Sequence, residues 1–250
     1  MFTLRSASLN CNRLTVCNRF CQTNYGGINP IQMTFRAPSI DTPLDPDAKP
    51  ILIMHGLLGS KNNWNSLAKA IQSKTKKKVF VVDARNHGDS PHTDEFSYAH
   101  LAADVELFLR NENIDEAHVL GHSMGGRAMM YLALNKDMGV RQFILTNLKQ
   151  VSPGGPIIWQ CNLNSLHNQF FNHMIQFPLP GERATYHGPT LFIGGGKSDF
   201  IKHEDHAGIR SLFPKADIIY IEGAGHWVHS QKPEQFVSKV VDFYTSPSLS

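Results

Sequence analysis

Cysteine is nearly absent from the body of this sequence. Cys11, Cys17 and Cys21 fall in the first 21 residues and only Cys161 lies beyond them, which excludes a disulfide framework and a cysteine-built zinc site. Long apolar runs are also missing. None approaches the roughly 20 residues needed to cross a bilayer, so no transmembrane segment is expected and the chain reads as soluble or at most peripheral. Residues 1–40 lack acids and lysine, leaving four arginines (Arg5, Arg13, Arg19 and Arg36) alone there. They explain the formal net charge of +3, because the remainder holds 20 basic against 21 acidic residues. A basic face on the folded part is therefore absent, and no nucleic-acid partner is expected. Lys74, Lys76, Lys77 and Lys78 read as a solvated helix end before a strand.

The opening "MFTLRSASLNCNRLTVCNRFCQTNYGG" (1–27) has Arg, Ser, Thr and Asn with scattered apolar residues, and no continuous apolar core of a secretory signal. It looks like a mitochondrial transit peptide, removed on import, with a disordered arm as the alternative. A mitochondrial location is the expectation. No linker interrupts the chain after residue 27, so residues 28–250 read as one domain.

From residue 28, strand-length apolar segments alternate with longer segments of helical period, the pattern of an α/β protein with a mostly parallel, doubly wound sheet. "IQMTF" alternates like a half-exposed strand, while "PILIMHG" (50–56) is apolar throughout, as an interior parallel strand is. Strands are also expected at "KVFVV", "AHVLG", "TLFIGG" (190–195) and "DIIYIEG", with helices at "NWNSLAKAIQS", "SYAHLAADVELFLRNE", "RAMMYLALN" and about 203–213. Tyr98, Leu101, Val105, Phe108 and Leu109 recur at helical spacing. A closing helix takes Pro233 in its first turn and Phe236, Val237, Val240 and Phe243 on its inner face.

Gly121-His122-Ser123-Met124-Gly125 matches the nucleophile elbow Gly-x-Ser-x-Gly and lies between a buried strand and a helix, where such an elbow must lie. The alternative is a structural or phosphate-binding glycine turn. A serine hydroxyl needs a base to take its proton. Of 13 histidines, His226 stands in "IIYIEGAGHWVH", a loop after a late strand and before the terminal helix. Such loops gather with the elbow at the carboxyl edge of the sheet. His229, His203 and His206 read as bystanders, and "HEDH" lacks zincin spacing, so neither metal nor cofactor is expected. The oxyanion hole needs backbone N–H donors, one from Met124 after the nucleophile and one from Leu57 in the turn "HGLLGS"; losing one such donor typically costs about 3 kcal/mol.

"ILIMHGLLGSKNNW", "VVDARNHGDSPH", "GHSMGG", "VRQFILTNL" and "GAGHWVHSQKP" together resemble the alpha/beta-hydrolase superfamily over roughly residues 28–245. Within it the chain looks most like the domain-containing protein 11 group and its bacterial esterase relatives. The resemblance implies a mitochondrial serine hydrolase that cleaves carboxylic esters, lipid or acylglycerol esters among them, through an acyl-enzyme intermediate. By the same resemblance "DARNHGDS" is a structural loop beside the site.

The chain departs from that pattern after Asn135. Superfamily members carry a strand and a lid of several helices there, whereas "YLALNKDMGVRQFILTNL" passes in a few residues to what resembles the late lid. About fifty residues are missing by this comparison, leaving a reduced lid at about 141–188 and no interior strand. An interior strand serves two neighbours, so roughly ten hydrogen bonds at about 1 kcal/mol each are at stake. "RQFILTN" is strand-like and a candidate for the vacant place. The triad acid is affected too. In the superfamily it commonly comes after the strand that succeeds the lid, which offers Asp199 in "FIGGGKSDFI", with a helix N-cap as that residue's alternative role. Some relatives take the acid from the loop after the missing strand, and Asn164 at the corresponding polar position cannot carry the charge. The competing functional reading is an inactive hydrolase-fold variant that acts as a binding protein.

Overall fold

The computed structural model describes residues 2–8, 28–135, 148–150, 157–159, 177 and 184–246. Its seven-stranded sheet contains β1 (Phe2–Ser8), β2 (Phe35–Arg36), β3 (Ile51–Met54), β4 (Val79–Val82), β5 (Glu116–Gly121), β8 (Thr190–Gly195) and β9 (Ala216–Ile221), in the order β2-β4-β3-β5-β1-β8-β9. β3 pairs in parallel with both β4 and β5, and β8 in parallel with β9. A separate two-stranded antiparallel ribbon joins β6 (Leu148–Gln150) to β7 (Ile157–Trp159).

All four residues of β3 are buried because helices cover both faces of the sheet. Leu52 and Met54 join Phe80 and Val82 of β4 on one face, under α2 (Tyr98–Asn111) and α3 (Met124–Asn135). Ile51 and Ile53 join Val79 and Val81 on the other, against α1 (Asn65–Thr75) and the closing helix (Pro233–Thr245). The period of two in the strands thus feeds two cores. α2 begins where Ser97 accepts from the His100 amide, and its expected inner residues Tyr98, Leu101, Val105, Phe108 and Leu109 are all buried. α1 ends at Lys76, whose φ of 59° is left-handed, and Lys74, Lys76 and Lys78 are exposed. Pro233 opens the closing helix, with Phe236, Val237, Val240 and Phe243 inward.

Two expectations meet a different outcome. "IQMTF" is strand only over its last residue, the ladder being limited to Phe35 and Arg36 opposite Val82 and Val81. Side chains take the amides upstream: Ile31 N–H donates to Asp104 and Thr34 N–H to the Ser90 hydroxyl. The other concerns the vacancy in the sheet. The backbone of residues 2–8, within the segment expected to be a removable or disordered arm, runs antiparallel between β5 and β8, with Leu4 opposite Val119 and Phe2 opposite both Gly121 and Phe192. A register shift lies between Leu4 and Ala7. The physical demand is the one raised by the missing interior strand, two edges lacking a partner, and the N-terminal segment meets it. "RQFILTN" (141–147) lies outside the described residues.

"DARNHGDS" is a braced loop, as expected. Arg85 forms a two-pronged ion pair with Asp104, both bonds 2.7 Å and both side chains fully buried. Burial pushes the Asp104 carboxyl up to about 6, with Arg85 opposing that shift. Lys61 is paired with Asp83 and, at 2.7 Å, with Asp89.

Candidate active site

Met54 of β3 sits opposite Gly121 of β5, so the segments leaving these strands emerge side by side at the carboxyl edge of the sheet. Two residues after Gly121, Ser123 has φ of 51°, the left-handed conformation that a side chain tolerates only under constraint. α3 starts at the next residue and returns a bond from the Arg127 N–H to the Ser123 carbonyl, 2.9 Å. Gly125 explains how closely the elbow approaches its neighbour. A Cβ there would lie 2.7 Å from the carbonyl oxygens of both Met54 and His55, so only glycine lets the first turn of α3 rest on the end of β3. This contact packs the first turn of α3 against Met54 and His55, the residues at which β3 passes into the turn that carries Leu57. No hydrogen bond to another described residue is seen for either candidate oxyanion amide, that of Met124 or that of Leu57.

The loop of His226 arrives from the other half of the sheet. β8 ends at Gly195, where a Cβ would stand 2.1 Å from the Gly225 carbonyl oxygen, so the end of the strand packs directly on this loop. The loop is pinned by the Gly225 N–H donating to Gln231 and by the His122 Nε2–H donating to the His226 carbonyl, 2.8 Å, across 104 residues of sequence. The His226 ring stacks on Phe200 at 3.8 Å between centroids and lies 4.2 Å from the His122 ring. Burial lowers the His226 pKa to about 4, with Arg127 contributing in the same direction, so the ring is neutral at pH 7 and able to accept a proton.

Ser123 and His226 line one cavity of about 760 Å³. Its wall is largely apolar, with Met130, Phe177, Phe192, Ile209 and Leu212, and is joined near the serine by Arg127. No hydrogen bond joins the Ser123 hydroxyl to the His226 ring among the described residues; such bonds are often long before substrate arrives.

Asp199 is not brought into this group. It is exposed, does not line the cavity and makes no hydrogen bond to His226, although its neighbours Ser198 and Phe200 both face the cavity. The N-cap alternative is not realised either, since the short turn at His203–Asp205 begins after Lys202. The side chain on the imidazole is Phe200, for which the sequence carries no signal. His122 is a second neighbour of the imidazole that sequence reasoning missed, and its place inside the elbow motif was the available signal. Among the described residues no cluster of His, Cys, Asp and Glu could hold a metal ion, and no helix is long and apolar enough to cross a membrane.

Comparison with known proteins agrees with this architecture. The family model described as "alpha/beta hydrolase fold" matches residues 49–157. The chain is 34% identical to a mouse protein named sn-1-specific diacylglycerol lipase ABHD11, over 92% of each, and 29% identical to esterase YbfF of Escherichia coli, over 74% of this chain and 89% of that one. The mouse alignment runs over 295 positions, more than the 250 residues of this chain, so the relative holds residues that this chain lacks. Among solved structures, a marine microorganism esterase superposes with a TM-score of 0.74 at 27% identity, covering 85% of this chain and 99% of its own. The buried parallel strands, the left-handed serine at the head of α3 and the histidine loop facing it, together with these matches, place the chain in the alpha/beta-hydrolase family, in the group that includes ABHD11.

Proposed function

We propose that this protein hydrolyses carboxylic esters through Ser123, with lipid or acylglycerol esters as the substrate class. It is a carboxylic ester hydrolase, as its relatives' names state for them. The observation that carries the mechanistic reading is the meeting of a left-handed serine and a neutral, half-buried histidine at one largely apolar cavity.

In the acylation step, His226 takes the proton of the Ser123 hydroxyl as its oxygen attacks the ester carbonyl. The negative charge on the tetrahedral oxygen falls to the Met124 and Leu57 amides, and the imidazolium returns its proton to the leaving alcohol. Water activated by the same imidazole then releases the acid and restores the serine. The apolar wall of Met130, Phe177, Ile209 and Leu212 suits an acyl chain, and the cavity volume is that of a small-molecule site.

Asp199 is the acid proposed for the triad. The turn that carries it also carries Phe200, whose ring lies on the His226 imidazole, so this role requires residues 196–200 to rearrange before the carboxylate reaches the imidazolium. The composition of residues 1–27 supports a mitochondrial location, and the pairing of β1 with β5 and β8 favours retention of residues 2–8 in the folded protein. Hydrolysis of p-nitrophenyl butyrate and of a diacylglycerol by wild type, Ser123→Ala, His226→Ala and Asp199→Asn tests the reading. Turnover is expected to vanish in the first two variants and to fall by up to about 10⁴-fold in the third; activity in Ser123→Ala sinks it.

A further inference from the structure

The loop braced under the site contains His87 and packs on the turn that contains His55; both histidines are fully buried, with rings 4.9 Å apart. Their partners fix their protonation. The Nδ1 of His87 faces the Arg85 carbonyl at 2.8 Å, and a carbonyl can only accept, so Nδ1 carries the proton. Its Nε2 faces the Leu58 N–H at 3.3 Å, which can only donate, so Nε2 is bare. His55 repeats the pattern, with Nδ1 on the Gly56 carbonyl at 3.0 Å and Nε2 accepting from the Ala84 N–H at 2.8 Å. Two neutral imidazoles thus cross-link the turn 55–59 to the loop 83–90.

What His87 holds matters for the site. Leu58 has φ of 64°, a left-handed conformation costing an ordinary residue roughly 1–2 kcal/mol, and the turn is closed by the Gly59 N–H on the Gly56 carbonyl, 2.9 Å. A strained turn persists only where its surroundings hold it. With the Leu58 amide committed to His87, the preceding amide, that of Leu57, is left for substrate.

We propose that His87 is a positioning residue for the oxyanion hole: its bare Nε2 holds the Leu58 amide and so keeps the turn in the shape that directs the Leu57 N–H at the reacting carbonyl. The proposal rests on the reading of Ser123 as nucleophile and Leu57 as oxyanion donor. It gives "DARNHGDS" a part in the reaction that the loop's bracing role alone does not supply.

The test compares wild type with His87→Gln, whose side-chain oxygen retains an acceptor, and His87→Leu, which has none. Turnover of p-nitrophenyl butyrate is read as kcat and KM, and affinity is measured for a trifluoromethyl ketone, whose serine adduct places an oxyanion in the hole. In His87→Leu, kcat is expected to fall about 10- to 100-fold with KM within about twofold, the ketone to weaken by a similar factor, and His87→Gln to recover most of both. A leucine variant with wild-type kcat, or a glutamine variant no better than leucine at equal folded fraction, overturns the proposal. A second measurement needs no variant. Long-range proton–nitrogen NMR of the folded wild type should show the His87 ring as the Nδ1–H tautomer at pH 7, and an Nε2–H tautomer or an imidazolium overturns it. Absence of turnover in wild type with that tautomer present would instead refute the serine hydrolase reading, so the two failures are distinguishable.

Discussion

Replacing Gly125 with alanine isolates the contact that joins the elbow to the oxyanion turn. The added Cβ would meet the carbonyl oxygens of Met54 and His55 at 2.7 Å and Met54 Cγ at 3.1 Å. The oxygens belong to the end of a fully buried strand and its first turn residue, and so cannot swing aside as a flexible side chain would. Relief requires the first turn of α3 to move off β3 by roughly half an ångström or more. Overpacking of this kind typically costs about 1–3 kcal/mol, or a melting temperature lower by roughly 3–10 °C for a domain of this size. The larger effect is on chemistry, because the shift moves the amide of Met124, the proposed oxyanion donor at the start of α3. A misplacement of 1 Å costs about 100-fold, so a shift of about half that should lower kcat by roughly 10-fold or more, with KM little changed. Melting by circular dichroism and steady-state hydrolysis of p-nitrophenyl butyrate read the two effects separately. A variant with the wild-type melting temperature and kcat within about twofold of wild type would refute the packing argument and the placement of the oxyanion donors with it.

The charges and the sheet carry three further outcomes. Protonated His226 cannot take the serine proton, so activity is lost as pH falls through its pKa, and burial places the acid limb of kcat/KM near pH 4; a limb at 6.5 or above would mean that a carboxylate already holds the ring in the free enzyme. His87 is neutral in the fold, with its pKa lowered to about 3 chiefly by burial, whereas the unfolded chain gains that proton below about 6.5. Stability present above pH 6.5 is therefore lost as pH falls toward 3, about 2 kcal/mol at pH 5 from this residue; urea midpoints at pH 7 and 5 should separate less in His87→Gln than in wild type, and equal separations would contradict this. Deleting residues 1–8 removes the shared partner of β5 and β8 and should lower the melting temperature markedly, whereas unchanged melting would deny β1 its place in the sheet.

The sequence revealed most where one segment answers to one physical demand. The largely apolar "PILIM" and "TLFIGG" read as interior strands and are buried throughout, and "GHSMGG" between strand and helix reads as a tight turn, where Ser123 is left-handed. Legibility failed where the answer came from far along the chain. Nothing local in "FTLRSAS" says that it pairs with Val119 and Phe192, because the demand for a strand arises from what is missing over a hundred residues later. Ring contacts are equally non-local. Asp199 stands out in the sequence by its charge and its place after a strand, but it is the aromatic next to it, Phe200, that stacks on the half-buried imidazole. In the sequence His87 is one histidine among 13, and its tautomer becomes readable only from its two backbone partners.

The most direct measurement is covalent modification of the folded protein by a fluorophosphonate, with the labelled peptide identified by mass. Rapid attachment at Ser123 in wild type, with attachment lost in Ser123→Ala and slowed by orders of magnitude in folded His226→Ala, is the expected result. A well-folded wild type that takes no label, or a His226→Ala variant that reacts at the wild-type rate, would contradict the pairing of this serine with this histidine.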